Sequence, residues 1–291
     1  MSLSALVIGF GSIGKRHVEI MNAMDEIAHL SVLSSQSGLP YDTLSSLEEI
    51  PRLNPDYVVI ASSTVQHYEQ LNFLEKNLEG KIILVEKPLF EKNYDFVVTK
   101  NSVWVAYVFR FHPLMQMIKE KVSQQSIWNM HVFCGSHLPD WRSGRDYREI
   151  YSARKDLGGG VLLDLSHELD YVQWLLGPVK IDYAFNEKIS TLKIDSDDML
   201  TFNGHSHNGA RVQINLNYFT KKPIRQIIID GEDISIQADL IKGKATVHSD
   251  GEVEKYDWSD IEMKEIYRRE HEAFLSGDSR MACTYEEGLE T

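Results

Sequence analysis

Ser4-Ala5-Leu6-Val7-Ile8-Gly9-Phe10-Gly11-Ser12-Ile13-Gly14-Lys15-Arg16-His17 stands almost at the start of the chain, and its reading decides the fold. Ala5 to Ile8 is a short apolar, partly β-branched run with the pattern of a buried strand. The spacing G-x-G-x-x-G follows at once, and the residues after it can begin a helix. Strand, glycine turn and helix start, in that order, form a dinucleotide-binding fingerprint. Gly9 would permit the tight turn, Gly11 would let backbone N–H groups approach a pyrophosphate, and Gly14 would let the helix pack closely on the strand. Unpaired N–H groups and the positive end of the helix dipole would then face the diphosphate around Ser12 and Ile13. A glycine-rich turn with no ligand is the alternative reading of the same spacing.

The bulk properties narrow the class. With 291 residues the chain has room for two domains and a proper core. Its 43% hydrophobic and 25% charged content is ordinary for a soluble globular protein and argues against wholesale disorder. A formal net charge of -13 argues against a nucleic-acid or anionic-membrane binder, whose surfaces are usually basic. The longest apolar runs, such as Tyr57 to Ala61 and Ile82 to Val85, are far too short to span a bilayer. The first strand begins so near Met1 that no signal peptide is expected. Cys134 and Cys283 lack metal-ligand spacing, so no metal is expected and a reduced, cytoplasmic protein is the simplest reading.

Strand and helix then alternate. Lys15 to Met24 reads as a helix and His29 to Leu33 as the second strand. At the end of that strand an Asp or Glu would favour NAD, and an Arg nearby would favour NADP. The positions read Ser34-Ser35-Gln36, whose hydroxyls could bond a 2′-phosphate and which bring no carboxylate to repel it. Both cofactors stay open, with a lean towards NADP. Asp56 to Ala61 is a further buried strand, followed by Ser62, Ser63, Thr64 and His67 at its carboxyl end, where open α/β sheets bind ligands. After a helix over Tyr68 to Asn77, the strand Lys81 to Val85 runs directly into Glu86-Lys87-Pro88. Pro88 stops that strand and restricts Lys87 to an extended conformation. The lysine is thereby placed at the sheet's carboxyl edge beside the expected cofactor, where an ammonium could bond a substrate oxygen. A solvated surface charge is the alternative. Val103 to Val108 adds a strand that ends at Phe109-Arg110-Phe111-His112-Pro113. The alternation predicts an α/β fold with a doubly wound parallel sheet over residues 1–112.

From Pro113 the pattern changes, and residues 113–291 read as a second, α+β domain. A helix over Leu114 to Val122 and a strand over Ile127 to Phe133 precede a long segment, Ser136 to Gly160. Segments this long without regular structure are usually functional or disordered. This one carries Trp141, Tyr147 and Tyr151 with Arg142, Arg145, Arg148 and Arg154. Aromatic faces suit the C–H surfaces of sugars, and arginine forks suit phosphate or carboxylate. Asp140, Asp146, Glu149 and Asp156 nearly balance the charge, so a substrate lid and a charged loop lying over the first domain are both open readings. Gly158-Gly159-Gly160 opens the clearest helix, Val161 to Leu176, which Gly177-Pro178 ends. Leu162, Leu165, Leu169, Val172 and Leu176 form a core-facing stripe. Asp164, His167 and Tyr171 fall three and four residues apart on another face. A carboxylate one turn from an imidazole can orient it and favour its protonated form, so that the pair handles a hydroxyl proton. The alternative is an aspartate complementing the helix dipole beside a partly exposed histidine. Beyond Val179 the chain reads mainly as strands, among them Arg211 to Tyr218, where Val212, Ile214, Leu216 and Tyr218 alternate with polar residues. A large, mostly antiparallel open sheet with helices on one face follows, and its other face could meet a second copy. A last helix is expected over Ile261 to Leu275, and the end at Tyr285 to Thr291 looks like a helix beginning.

Taken in order, GFGSIGKRH, VEKP, YVFRFHP and GGGVLLDLSHELDYVQWLLG resemble the Gfo/Idh/MocA family, that of glucose–fructose oxidoreductase, inositol dehydrogenase and their relatives. The resemblance covers essentially the whole chain. It implies an N-terminal Rossmann domain, a C-terminal α/β domain with an open sheet, and NAD(P)-dependent oxidation or reduction at a sugar or cyclitol carbon. Lys87 would be the catalytic lysine, with Asp164 and His167 as the acid/base pair facing the nicotinamide. The Thr64 to His67 segment would line the nicotinamide side, and Ser62, Glu86 and Lys87 join the expected cofactor contacts. Arg110, Trp141, Arg142, Tyr147 and Tyr171 are the candidate substrate contacts. Many family members separate the Asp and His by four positions, where this chain has three with Ser166 in the gap. The chain also stops where relatives continue into another helix, which implies a shortened end. The reading DWRSGRDY…YSARKDLGGGVLLDLSHELDY is similar to a subgroup found with bacterial surface-polysaccharide and nonulosonic-acid biosynthesis, which points to a nucleotide-activated or acidic sugar. The resemblance further implies a homo-dimer or homo-tetramer built through the C-terminal sheet. Two competing functions are a non-catalytic NAD(P)- or sugar-sensing regulator, expected to have lost the residues retained here, and an imine or enone reductase on a related fold.

Overall fold

A computed structural model describes residues 2–291. The chain forms two compact units: residues 2–111 with Glu262–Glu290, and His112–Ile261 with Thr291.

The first unit is built from β1 (Leu3–Ile8), α1 (Ser12–Met21), β2 (Ile27–Leu33), β3 (Asp42–Leu44), α2 (Ile50–Leu53), β4 (Tyr57–Ile60), α3 (Thr64–Asn77), β5 (Ile82–Glu86) and β6 (Ser102–Ala106). Its sheet runs β6-β5-β4-β1-β2-β3 with every one of those pairings parallel, and the short strand Cys283–Thr284 adds antiparallel to β6. Tyr57 to Ile60 and Ile83 to Val85 are buried throughout, as strands covered on both faces must be. Because the strands are parallel, the ends of β1, β2, β4 and β5 all open on one edge.

Residues 262–290, read from sequence as part of the second domain, belong to this first unit. The helix Met263–Ser276 buries Ile266, Tyr267, Glu270, His271 and Phe274. Phe274 packs on Trp104 and Phe111, and His271 packs on His17 and Tyr57, so the chain returns to the first core. The pairing partners lie some two hundred residues apart in sequence, beyond the reach of any local pattern.

The second unit comprises α4 (Pro113–Ser123), β7 (Ile127–Gly135), α5 (Val161–Asp164), α6 (His167–Leu176), β8 (Val179–Glu187), β9 (Met199–Ser206), β10 (Arg211–Asn217), β11 (Ile224–Gly231), β12 (Ile234–Asp239), β13 (Lys244–Ser249) and β14 (Glu252–Asp257). Strand order is β14-β13-β12-β11-β7-β10-β9-β8, antiparallel except where β7 meets β10. In β10, Val212, Ile214 and Leu216 are buried while Arg211 and Gln213 face outward. His131, Thr201, Asn203, Gln213 and Gln226 line a shallow depression on that outward face.

The continuous helix expected over Val161 to Leu176 is broken. α5 ends at Asp164, Leu165 leaves helical geometry (φ -99°, ψ 28°), and α6 begins at His167. Of the expected leucine stripe only Leu165 and Val172 are fully buried, whereas Asp164, Glu168, Tyr171 and Leu175 are buried on the opposite register. Arg225 from β11 pairs with the inward side of α6, its Nε and Nη2 donating to the Glu168 carboxylate at 2.6 and 3.2 Å. A buried carboxylate is tolerable only when paired in this way. Among the described residues no helix is long and apolar enough to cross a membrane.

Candidate active site

The glycine turn does three different things. Gly9 adopts φ +98°, and a Cβ there would stand 2.8 Å from the Ala61 carbonyl and the Ser62 backbone, so the turn rests directly on the end of β4. A Cβ on Gly14 would meet the Gly9 carbonyl oxygen at 2.1 Å, which fixes how closely α1 packs on the turn. Gly11 has nothing within 4 Å of such an atom: it faces open space at the start of α1. No side chain caps that helix and no acidic residue occupies its first turn, and Ser12 is exposed beside half-exposed Ile13. An open glycine-lined cradle before uncapped N–H groups fits a diphosphate.

Neighbouring loops complete this edge. The Gly9 N–H donates to the Leu33 carbonyl, which joins the turn to the tip of β2. There Ser34 Oγ accepts from the Gln36 N–H at 3.1 Å and Ser35 is exposed. Gln36 Nε2 donates to the Phe10 carbonyl at 3.0 Å, a brace that sequence reasoning missed because the contact spans 26 positions. Ser62 Oγ donates to Gln70 at 2.7 Å, and Thr64 is buried as the first residue of α3.

Lys87 lies half-exposed just past β5, on the same edge, and its bond to Pro88 is cis. Two residues expected as cofactor contacts have protein partners around this lysine. His67 is buried, and its Nδ1 stands 3.1 Å from the Pro88 carbonyl and 3.2 Å from that of Leu89. Both partners are acceptors, so Nδ1 carries the proton and the ring clamps the turn after Lys87. Burial pushes the His67 pKa down and keeps the ring neutral. Glu86, expected among the cofactor contacts, is buried: its Oε2 accepts the Lys87 backbone N–H at 3.1 Å and its Oε1 meets His17 Nε2 at 2.9 Å.

Arg110 has protein partners as well. It is only 2% exposed, and its Nη1 donates to the Ala282 carbonyl at 3.1 Å and to Glu287 at 2.9 Å. It thereby fastens the C-terminal segment within the first unit. Tyr171 is likewise fully buried, with its hydroxyl pKa pushed well up by burial and then by Glu168.

In the second unit the triple glycine positions Asp164. Gly158 and Gly160 both take positive φ. A Cβ on Gly159 would strike the Tyr151 carbonyl at 2.1 Å, and one on Gly160 would strike the Asp197 carboxylate at 2.1 Å. Asp197 uses that room to accept the Leu162 N–H at 3.0 Å, holding the start of α5. Burial, partly offset by those backbone donors, raises the Asp197 pKa. Asp164 itself is buried and accepts a 2.5 Å hydrogen bond from Tyr218. Burial first, and the Asp164 charge second, hold the Tyr218 hydroxyl far above ordinary phenol values. Tyr218 was visible in the sequence only as an apolar-phase residue of an alternating strand. Trp141 closes against it edge-on at 5.2 Å, its indole donating to Ser136 Oγ at 2.7 Å. His167 begins α6, half-buried. It follows the break at Leu165 and Ser166, so Asp164 closes one short helix and His167 opens the next.

The rest of Ser136 to Gly160 is a series of short 3-10 turns. Tyr147 uses its hydroxyl to accept the Lys193 N–H at 3.2 Å. Arg148 and Arg154 pair with their own neighbours Asp146 and Asp156, and the Arg148 guanidinium pulls Asp146 down to about 2. Arg142 is half-exposed and Arg145 exposed, neither in an ion pair among the described residues.

Comparison with known proteins agrees with this architecture. Residues 3–96 match the family described as "Oxidoreductase family, NAD-binding Rossmann fold", and residues 115–237 match "GFO/IDH/MocA C-terminal domain". An uncharacterized oxidoreductase of Synechocystis sp. is 29% identical over 165 residues, covering 53% of this chain. The chain spans 43% of the length of that relative. Levoglucosan dehydrogenase in complex with NADH superposes with a TM-score of 0.86 at 18% identity, covering 99% of this chain and 94% of the other. The WlbA dehydrogenase of Bordetella pertussis, in complex with NADH and UDP-GlcNAcA, gives 0.77 at 17% identity, covering 100% and 93%. UDP-N-acetylglucosamine 3-dehydrogenase GnnA of Acidithiobacillus ferrooxidans gives 0.76 at 16% identity, covering 100% and 94%. With a glycine cradle on a parallel sheet, a lysine at its edge, and family matches to both halves, the chain belongs to the Gfo/Idh/MocA family of oxidoreductases with an NAD-binding Rossmann fold.

Proposed function

We propose that the protein is an NAD(P)-dependent dehydrogenase or reductase acting on a sugar hydroxyl or its ketone, with a nucleotide-linked or acidic sugar as the substrate class. The observation that carries this reading is the shared edge of the first sheet. The open cradle at Gly11, the hydroxyls at Ser34 and Ser35, and the half-exposed Lys87 all follow carboxyl ends of parallel strands, where such sheets bind ligands. Neighbours described with UDP-linked sugars support the substrate class.

When bound, the nicotinamide gives or takes the hydride. The Gly11 cradle and the first N–H groups of α1 hold the diphosphate, and the β2 tip takes the adenosine ribose. Ser34 and Ser35 bring no carboxylate against a 2′-phosphate, so NADP is the favoured cofactor, with NAD the alternative supported by neighbours described with NADH or NAD+. The Lys87 ammonium bonds the reacting substrate oxygen and stabilises the negative charge that develops on it. His167 removes or returns the hydroxyl proton, and Asp164, held by Tyr218, orients that proton transfer. Trp141, Tyr147 and Arg142 are assigned to substrate contact. The outward face of the second sheet, where Phe133 and Ile228 stand among polar residues, is assigned to self-association as a homo-dimer or homo-tetramer.

The test is direct. NADP+ or NAD+ is mixed with protein and a panel of free sugars, sugar acids and UDP-sugars, and the absorbance of reduced cofactor is followed. Turnover with a sugar is expected. Tight cofactor binding with no turnover across the panel, in either direction, would point instead to a sensor.

A further inference from the structure

Four buried polar side chains of the first unit lie outside the chemistry just described, and they touch one another in series. Tyr57 Oη is 2.8 Å from His271 Nδ1, His271 Nε2 is 2.9 Å from His17 Nδ1, and His17 Nε2 is 2.9 Å from Glu86 Oε1. Tyr57, His17 and His271 are completely buried. The series joins β4, the helix Met263–Ser276, α1 and the end of β5.

Its direction follows from what each member can do. Burial and the nearby Glu270 charge keep the Tyr57 phenol protonated, so it is a donor. Burial presses the His271 pKa well below the ordinary value, so that ring is neutral with one N–H and one acceptor nitrogen. Tyr57 donates to His271 Nδ1, which leaves the His271 proton on Nε2, facing His17 Nδ1. His17 Nε2–H in turn donates to Glu86 Oε1. The other oxygen, Glu86 Oε2, accepts the Lys87 backbone N–H at 3.1 Å. Every donor meets an acceptor, and the series terminates on a carboxylate, the arrangement in which charge-assisted hydrogen bonds are strongest.

We propose that His17 is a positioning residue for Lys87: the Tyr57–His271–His17–Glu86 series fixes the carboxylate that grips the Lys87 backbone, and so sets where the catalytic lysine stands on the sheet edge. The catalytic part of this rests on the role assigned to Lys87 above. Position 17 is on the buried face of α1 with Val18 and Met21, where an aliphatic residue would leave His271 Nε2 and Glu86 Oε1 buried without this partner. A histidine there is accounted for by what it holds.

The experiment compares His17→Gln, His17→Met and His17→Ala in the full chain. Glutamine can place a side-chain N–H where His17 Nε2 stands, whereas methionine fills the volume without a donor. Two readouts are taken: hydrogen exchange of the Lys87 amide by NMR, and kcat and KM on the sugar found by the cofactor panel. In Met and Ala, Lys87 exchange is expected to quicken by roughly tenfold or more, with kcat falling while KM and NADPH affinity stay close to wild type. Gln is expected to recover most of both. If Met matches Gln in exchange and in kcat, His17 acts by packing alone and the proposal is overturned. Full turnover in Lys87→Ala would remove the catalytic reading of Lys87 and leave the exchange result standing, so the two failures are separable.

Discussion

Gly9 and Gly14 were legible because each does work that only a missing side chain allows, and Gly14 and Gly11 give a pair of contrasting outcomes. Gly14→Ala drives a methyl to 2.1 Å from a backbone oxygen, so it should lower stability by about 1–3 kcal/mol and abolish NADPH binding. Gly11→Ala points into open space, so its melting temperature should match wild type while NADPH affinity, read by fluorescence titration, falls. Equal behaviour of the two variants would contradict their assigned roles. Lys87 was legible for a similar reason: a proline after a buried strand marks an edge. The protein partners of Arg110 and Glu86 were not legible because they are far away in the chain. Arg110 meets Glu287 across 177 positions, and Glu86 meets His17 across 69. A charged or hydroxylated residue at a strand or helix end looks the same in sequence whether it faces ligand or a distant buried partner.

Buried parallel strands are easy to read, and β1, β4 and β5 stand where the apolar runs put them. The three-residue β3 and the polar edge strand β14 were missed because neither carries a core-facing pattern long enough to register. The break between α5 and α6 was missed for a different reason. Apolar periodicity suggested one helix with a leucine stripe inward, but the Glu168–Arg225 pair turns the other side inward. Arg225→Met should therefore be severe, leaving the Glu168 carboxylate buried without its partner at a cost of about 3–5 kcal/mol in chemical denaturation. Arg225→Met combined with Glu168→Leu should recover much of that loss. A single variant as stable as wild type would mean the pair does not set the register of α6.

For the whole molecule, two expectations concern conditions. His67 and His271 both stand below the ordinary histidine value of 6.5, chiefly because burial disfavours the imidazolium. As pH falls below that value the unfolded chain takes up protons that the folded chain does not, so stability rises with pH and is lost progressively from there downward. Melting temperature should drop between about pH 7 and about pH 5, less steeply in His271→Phe than in wild type, and equal slopes would contradict the burial argument. Titration with both reduced cofactors should show NADPH binding more tightly than NADH, since no carboxylate stands at Ser34 and Ser35; a preference for NADH would reverse the cofactor assignment. The division of labour between a cradle that binds and a lysine that reacts is tested most directly by turnover and NADPH affinity of Lys87→Ala, measured side by side with wild type on the same sugar. Turnover is expected to fall by about a hundredfold to a thousandfold, the usual effect of removing a group that stabilises developing charge, with NADPH affinity nearly unchanged. Wild-type turnover in that variant would contradict it.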